Sequence, residues 1–260
     1  MSDAVSRAGV ARSLVLGLLL TLGLAGGASA AQRVVISARF TPERLGAPTA
    51  MSLGMTVTAP AGEIPSPLRS IDLHYPASLG IATSGLGTAS CEPAQLEYLG
   101  PAGCPSNSIM GTGSALARFR IGPEIFHESA SLAVVAGPSQ NGHLQLLISA
   151  TGLSPVAARI VMSSTVGSGH LHITVPLVPS LPEGEDVAVV AAYVTLGGNL
   201  TYRERVHGRT VLYHPTGIGL PHRCPHAGFQ FSGHFTFLDA SSASASTTVA
   251  CPKHRQPARR

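Results

Sequence analysis

The sequence predicts an all-β fold, an antiparallel β-sandwich of Ig-like or jelly-roll-like type with one short disulfide-pinned helix. Three observations lead there. Apolar and polar residues alternate at period two in one segment after another, the pattern of strands with one buried and one solvated face. Turn signals built from Gly, Pro and Asn-Gly separate these segments at intervals of about 8–12 residues, the spacing of sandwich strands. A helical signal is confined to one short stretch between two cysteines, Cys91 and Cys104.

The first thirty residues read as an export signal. Arg7 and Arg12 supply a positive start, Ser13 to Leu24 an apolar run too short to span a bilayer, and Ala28-Ser29-Ala30 a small-x-small cleavage site. Cleavage is expected between Ala30 and Ala31. The expected organisation is a signal peptide over 1–30, a β-domain over 31–252 that a break near 122–123 could divide into two lobes, and a basic disordered tail over 253–260. Charged residues make up 12% of the chain and the formal charge is +4. The excess is carried by the ends: Arg7 and Arg12 in the leader, Lys253, Arg255, Arg259 and Arg260 in the tail. The body between them is close to neutral and lacks the basic stripe that neutralising phosphates requires, which argues against nucleic acid.

Taken in order, RVVISARF places Val34, Ile36, Ala38 and Phe40 on one face, MSLGMTVTA places Met51, Leu53, Met55 and Val57, and LRSIDLHYP sets Ile71, Leu73 and Tyr75 against Ser70, Asp72 and His74. Ser90 or Cys91 can cap a short helix with Pro93 in its first turn, and Gly100 can close it in the left-handed conformation. Leu96 and Leu99 are expected against the sheet, with Tyr98 packed under the helix. SALARFRIG then points Ala115, Ala117, Phe119 and Ile121 inward. Asn141-Gly142 is a strong hairpin signal. DVAVVAAYVTL is apolar on both faces, as a central strand covered on both sides, or one crossing a junction between lobes, would be. FQFSGHFTF aligns Phe229, Phe231, Phe235 and Phe237, with Gly233 a candidate bulge. The Ser-rich run to Cys251 reads as a last strand with its cysteine inward.

The stretch containing Cys91, Cys104, Pro105, Ser108, Met110 and Gly111 resembles a segment of uncharacterised secreted β-rich proteins of actinobacteria, in which a Cys, a short helix and a Cys-Pro-x-x-Ser-x-[Ile/Met]-Gly turn precede a strand. The resemblance covers roughly 40 residues of the chain. The resemblance implies export and a β-rich body; it implies no activity and carries over no site.

Four cysteines in an exported chain predict two disulfides. Of three connectivities, the nearest-neighbour one, Cys91–Cys104 and Cys224–Cys251, is the expectation. Among 11 histidines, His170 and His172 share a strand face, and with His143 they are the candidate metal ligands. His222, Cys224 and His226 form a second cluster that a Cys224 disulfide would disarm. No Gly-x-Ser-x-Gly elbow appears. Asp72, Glu124, Glu128, Glu183, Glu185 and Asp186 sit mostly at turns or strand ends, and Gly85-x-Gly87 and Gly111-x-Gly113 lack the Lys and helix of a phosphate cradle. Exposed aromatic platforms for sugar are limited to Tyr98, Tyr202 and Tyr213. The expected function is a secreted or cell-surface protein with a non-catalytic binding or envelope-structural role, no cofactor, and a protein or cell-envelope partner. A metal- or carbohydrate-binding module is the alternative, and a hydrolase comes third.

Overall fold

In the computed structural model the described residues are 32–60, 63–81, 89–154, 157–178, 186–197, 201–213 and 217–252. The expected leader and basic tail, Gly85-x-Gly87, Glu183 and Glu185 lie outside them. Fifteen strands and one α-helix are described: β1 (Arg33–Thr41), β2 (Pro48–Thr58), β3 (Leu68–His74), β4 (Gly80–Ile81), α1 (Pro93–Leu99), β5 (Ile109–Ile121), β6 (Glu124–Gln140), β7 (His143–Ser154), β8 (Arg159–Gly167), β9 (His170–Thr174), β10 (Ala188–Leu196), β11 (Tyr202–Val206), β12 (Arg209–Tyr213), β13 (Ile218–Gly219), β14 (Phe229–Phe237) and β15 (Ser242–Val249).

The all-β antiparallel class, with a single short helix beside a disulfide, holds. What a sandwich would divide between two sheets is carried here by one. Thirteen strands form a single sheet in the order β15-β14-β3-β9-β8-β7-β6-β5-β10-β2-β13-β4, with β1 also on β2. Short turns explain the central meander from β5 to β9, since a strand leaving a tight turn pairs with the one before it. Gly122-Pro123, where two lobes could have parted, is the turn of the β5–β6 hairpin. Asn141 and Gly142, both at positive φ (52° and 77°), turn β6 into β7, as Asn-Gly does in primed hairpin turns. The sheet curls until β1 lies beside β15, and Gln32 Nε2 donates to Asp239 Oδ2 and to Ser241 Oγ at 3.3 and 3.1 Å. The result is a nearly closed barrel whose wall, without the two-residue β4 and β13, has eleven strands.

Period-two alternation places one side chain in two inside this wall. Phe229, Phe231, Phe235 and Phe237 of β14 are almost fully buried there, and Phe40 meets Phe229 edge-on with ring centroids 5.2 Å apart. Gly233 is not a bulge: it pairs in register with Leu73 and Ala245, and the Phe235 ring lies against it. The irregularity falls at Phe237 instead. In β10 a bulge between Val189 and Ala191 shifts the phase. Val189 and Ala192, three apart, therefore both face inward, and the strand's two apolar faces follow from the shift.

A second, smaller core lies outside the barrel. Leu96 of α1 and the cystine of Cys91 and Cys104 pack on Val135 and Leu147, the outward residues of β6 and β7. This explains why the Val134-Val135-Ala136 run is apolar on both faces. The second disulfide joins Cys224 to Cys251, with Cys251 exposed rather than inward. Helix α1 departs from expectation in two ways. Its N-cap is Glu92, with no side-chain cap, and Pro93 opens the helix. Only Leu96 faces the barrel, whereas Leu99 and Tyr98 are 64% and 81% exposed. Seven residues make two turns at most, enough to bury a single residue of the stripe.

Candidate functional site

Inward side chains do not fill the barrel. An eight-stranded barrel is about wide enough for side chains to occupy its interior, and width grows with strand number. Eleven strands enclose more space than Leu, Ile and Val can reach across. One part of the wall is built from small residues, Ala115 on β5, Ala150 on β7 and Ala192 on β10, facing Phe231 and Phe235 of β14. A cavity of about 180 Å³ remains, lined almost wholly by apolar side chains from β1, β2, β3, β5 to β10 and β14. A smaller void of about 30 Å³ shares Leu53, Leu73, Leu146, Leu171, Leu196 and Phe231 with it and extends toward Tyr75. The Tyr75 hydroxyl donates to the Gly167 carbonyl at 2.7 Å, and burial pushes its pKa up.

The outer face beyond β3 and β9 carries the histidines. Strand register sets Asp72 opposite His172 and His74 opposite His170, and β14 adds His234 next to Asp72. His172 Nδ1 lies 2.6 Å from Asp72 Oδ1, and His170 Nε2 lies 3.5 Å from the same oxygen. The His172 hydrogen bond holds the Asp72 carboxyl below its ordinary range, opposed by partial burial and assisted by His170. The rings of His74 and His170 are 5.0 Å apart. His143 does not join them. β8 stands between β7 and β9, so His143 is two strands, roughly 10 Å, away. Among the described residues no group of three His, Cys, Asp or Glu is arranged to hold a metal ion. Asp72, which the sequence offered only as a scattered acid, is the group around which His170 and His172 gather. Cys224 is in its disulfide, so the His222/Cys224/His226 cluster has no thiolate.

A third feature is an open trough on the outside of β1, β2, β10 and β5. Its volume is about 660 Å³, and Tyr193 lies within it. The Tyr193 ring rests on Gly54, where a Cβ would come within 2.7 Å of the ring, and it stays 51% exposed. Cross-strand register puts Ser37, Gly54, Tyr193 and Ser114 in one row and Arg39, Ser52, Thr195 and Thr112 in the next. Ser52 and Thr195 hydroxyls are hydrogen-bonded at 2.9 Å. Of the aromatic residues singled out in the sequence, Tyr202 and Tyr213 pair in register across the β11–β12 hairpin, and their side chains lie outside the described part of the structure.

Comparison with protein-family models, with curated proteins and with solved structures returned no match. The chemistry of the three features must stand alone. Asp72, His170 and His172 form an acid–base cluster on a solvated face, and the buried Glu128 carboxylate accepts from the Leu153 and Ser154 amides at 2.9 and 3.0 Å, a structural role at the β7 bulge. The lumen and the trough were not visible in the sequence. Each is made by residues from strands far apart in the chain, and the only local signal, small residues at inward positions of β5 and β10, reads equally as tight packing.

Proposed function

We propose that this protein is an exported binding protein that takes up a small apolar molecule in its barrel lumen. The observation that carries this reading is the cavity of about 180 Å³ with apolar walls. A dry apolar cavity of roughly 150 Å³ is enough to admit benzene, and unfilled apolar volume is itself destabilising, so an occupant of hydrocarbon character gains contacts that the empty wall lacks. Ligand pockets are concave and mostly apolar, and this one is enclosed by regular strands that need not rearrange. Export is supported by the leader-like N-terminus, by the resemblance of the Cys91–Gly111 segment to secreted actinobacterial proteins, and by two disulfides, which persist in oxidising compartments. No helix among the described residues is long and apolar enough to cross a membrane.

Thermal unfolding of the secreted protein with toluene, whose size suits a cavity slightly larger than one that admits benzene, and separately with benzoate, tests the lumen. Binding to the folded state raises Tm in proportion to the logarithm of ligand concentration. The wild type is expected to respond to toluene, whereas Ala192→Leu, which fills the small-residue wall, is expected to keep or raise its unliganded Tm and lose the response. A wild type indifferent to both probes, or an Ala192→Leu protein that responds as the wild type does, overturns the reading and favours a purely structural envelope role. Non-reducing peptide mapping of the same sample is expected to give a chain starting at Ala31.

A further inference from the structure

We infer that the Tyr193 trough is a saccharide-binding site, independent of the lumen. A pyranose ring is amphipathic. Its C–H faces stack on aromatic rings, and its hydroxyls and ring oxygen exchange hydrogen bonds around the edge. The trough offers that arrangement in order. Tyr193 presents a half-exposed ring whose position is set from below by Gly54, since any side chain at residue 54 would collide with it. On one flank, Arg39, Ser52, Thr195 and Thr112 run across four strands, so a sugar stacked on the ring places its edge along a band of hydroxyls ended by a guanidinium. On the other flank, Val35, Thr56 and Ala191 bring a single hydroxyl between two apolar side chains, and the polar edge is largely one-sided. These side chains stand on β-strands rather than loops, which holds them in place before a ligand arrives.

Arg39 decides between sugars. It is exposed and has no carboxylate partner among the described residues. A planar guanidinium forks onto carboxylates, so a uronic acid is favoured over a neutral hexose. Tyr98, more exposed than Tyr193, stands on the short helix α1 rather than on the sheet and serves as the contrast.

The test is a titration of the secreted protein with tetragalacturonate and with cellotetraose, followed by calorimetry and by the Tyr193 ring resonances. Tetragalacturonate is expected to bind at least tenfold tighter than cellotetraose. Tyr193→Ala is expected to weaken both by at least tenfold, and Tyr193→Phe, which keeps the ring, by less than threefold. Arg39→Ala should erase the preference for the acidic sugar, and Tyr98→Ala should change nothing. Thermal unfolding and circular dichroism of each variant serve as the folding control, so the test does not rest on the lumen. Absence of binding by both saccharides at millimolar concentration overturns the inference, as does a Tyr193→Ala protein that folds and binds like the wild type. Neither outcome touches the lumen reading.

Discussion

Arg159 shows how one side chain completes an element it does not belong to. Its Nη1 donates to the Glu97 and Tyr98 carbonyls at 3.1 and 3.3 Å, and its Nε donates to Thr151 Oγ1 at 3.3 Å. The last carbonyls of a helix lack intrahelical partners and carry partial negative charge, so a cation there supplies both needs. Gly100 makes room for it: φ is +73°, and a Cβ would lie 2.8 Å from the guanidinium carbon. Gly100→Ala is expected to destabilise by about 1–2 kcal/mol, from the left-handed backbone and the displaced arginine, and Arg159→Ala by about 1 kcal/mol; urea denaturation measures both. Asp72 provides a pH signature. Its folded-state pKa is depressed, first by His172. The stability it contributes is present above the unfolded carboxyl's value of about 3.9 and disappears as pH falls through the lower folded value. Below about pH 4, Tm of the wild type is expected to fall more steeply with falling pH than that of Asp72→Asn.

At the level of elements, the cystine of Cys91 and Cys104 does for α1 what its length does not. Seven residues are far below the length at which a helix persists alone in water, and the helix buries one leucine. Replacing both cysteines by serine is expected to lower stability by about 2–4 kcal/mol and to expose α1 amides to exchange while β6 and β7 stay protected; hydrogen exchange with mass spectrometry separates the two effects. This element was legible in outline because Pro93, Gly100 and the flanking cysteines are local signals. The orientations of Leu99 and Tyr98 were not, because a stripe three residues apart does not say where on the barrel a two-turn helix ends. The β14 phenylalanines were legible completely: four large residues at period two allow only one buried face. In β10 the central position between β2 and β5 was legible, but cover on both faces was not borne out, since Tyr193 is 51% exposed on the outer face, and the bulge at Val190 that reassigns the faces has no local signature.

For the whole molecule, the count of strands has a consequence. Ten successive antiparallel pairings lead from β1 through β2, β10, β5 and onward to β15. An even number of reversals returns the direction of the start, so β1 and β15 run parallel where the barrel would close. Antiparallel pairing is unavailable to them, and no ladder joins them among the described residues. Amides along the facing edges of β1 and β15 are therefore expected to exchange sooner than those of the twice-paired β6 and β7, because their donors lack protein acceptors. Equal protection across the barrel would mean that the seam closes in solution. The Gln32 contacts to Asp239 and Ser241 hold only its end, and Gln32→Ala is expected to widen the difference.

The sequence by itself determined the eleven strands of the wall, the inward faces of most of them, the helix beside its cystine and the pairing of neighbouring cysteines. All of these rest on interactions close in the chain: alternation at period two, turn chemistry, short loop closure. Tertiary structure alone decided that the strands make one curled sheet rather than two layers, that the wall is too wide for its side chains, and that Tyr193 stands over Gly54 beside Arg39. Residues 54 and 193 become neighbours only once β2 and β10 pair, and a void belongs to no residue. It is the difference between the circumference set by eleven strands and the reach of the side chains they carry.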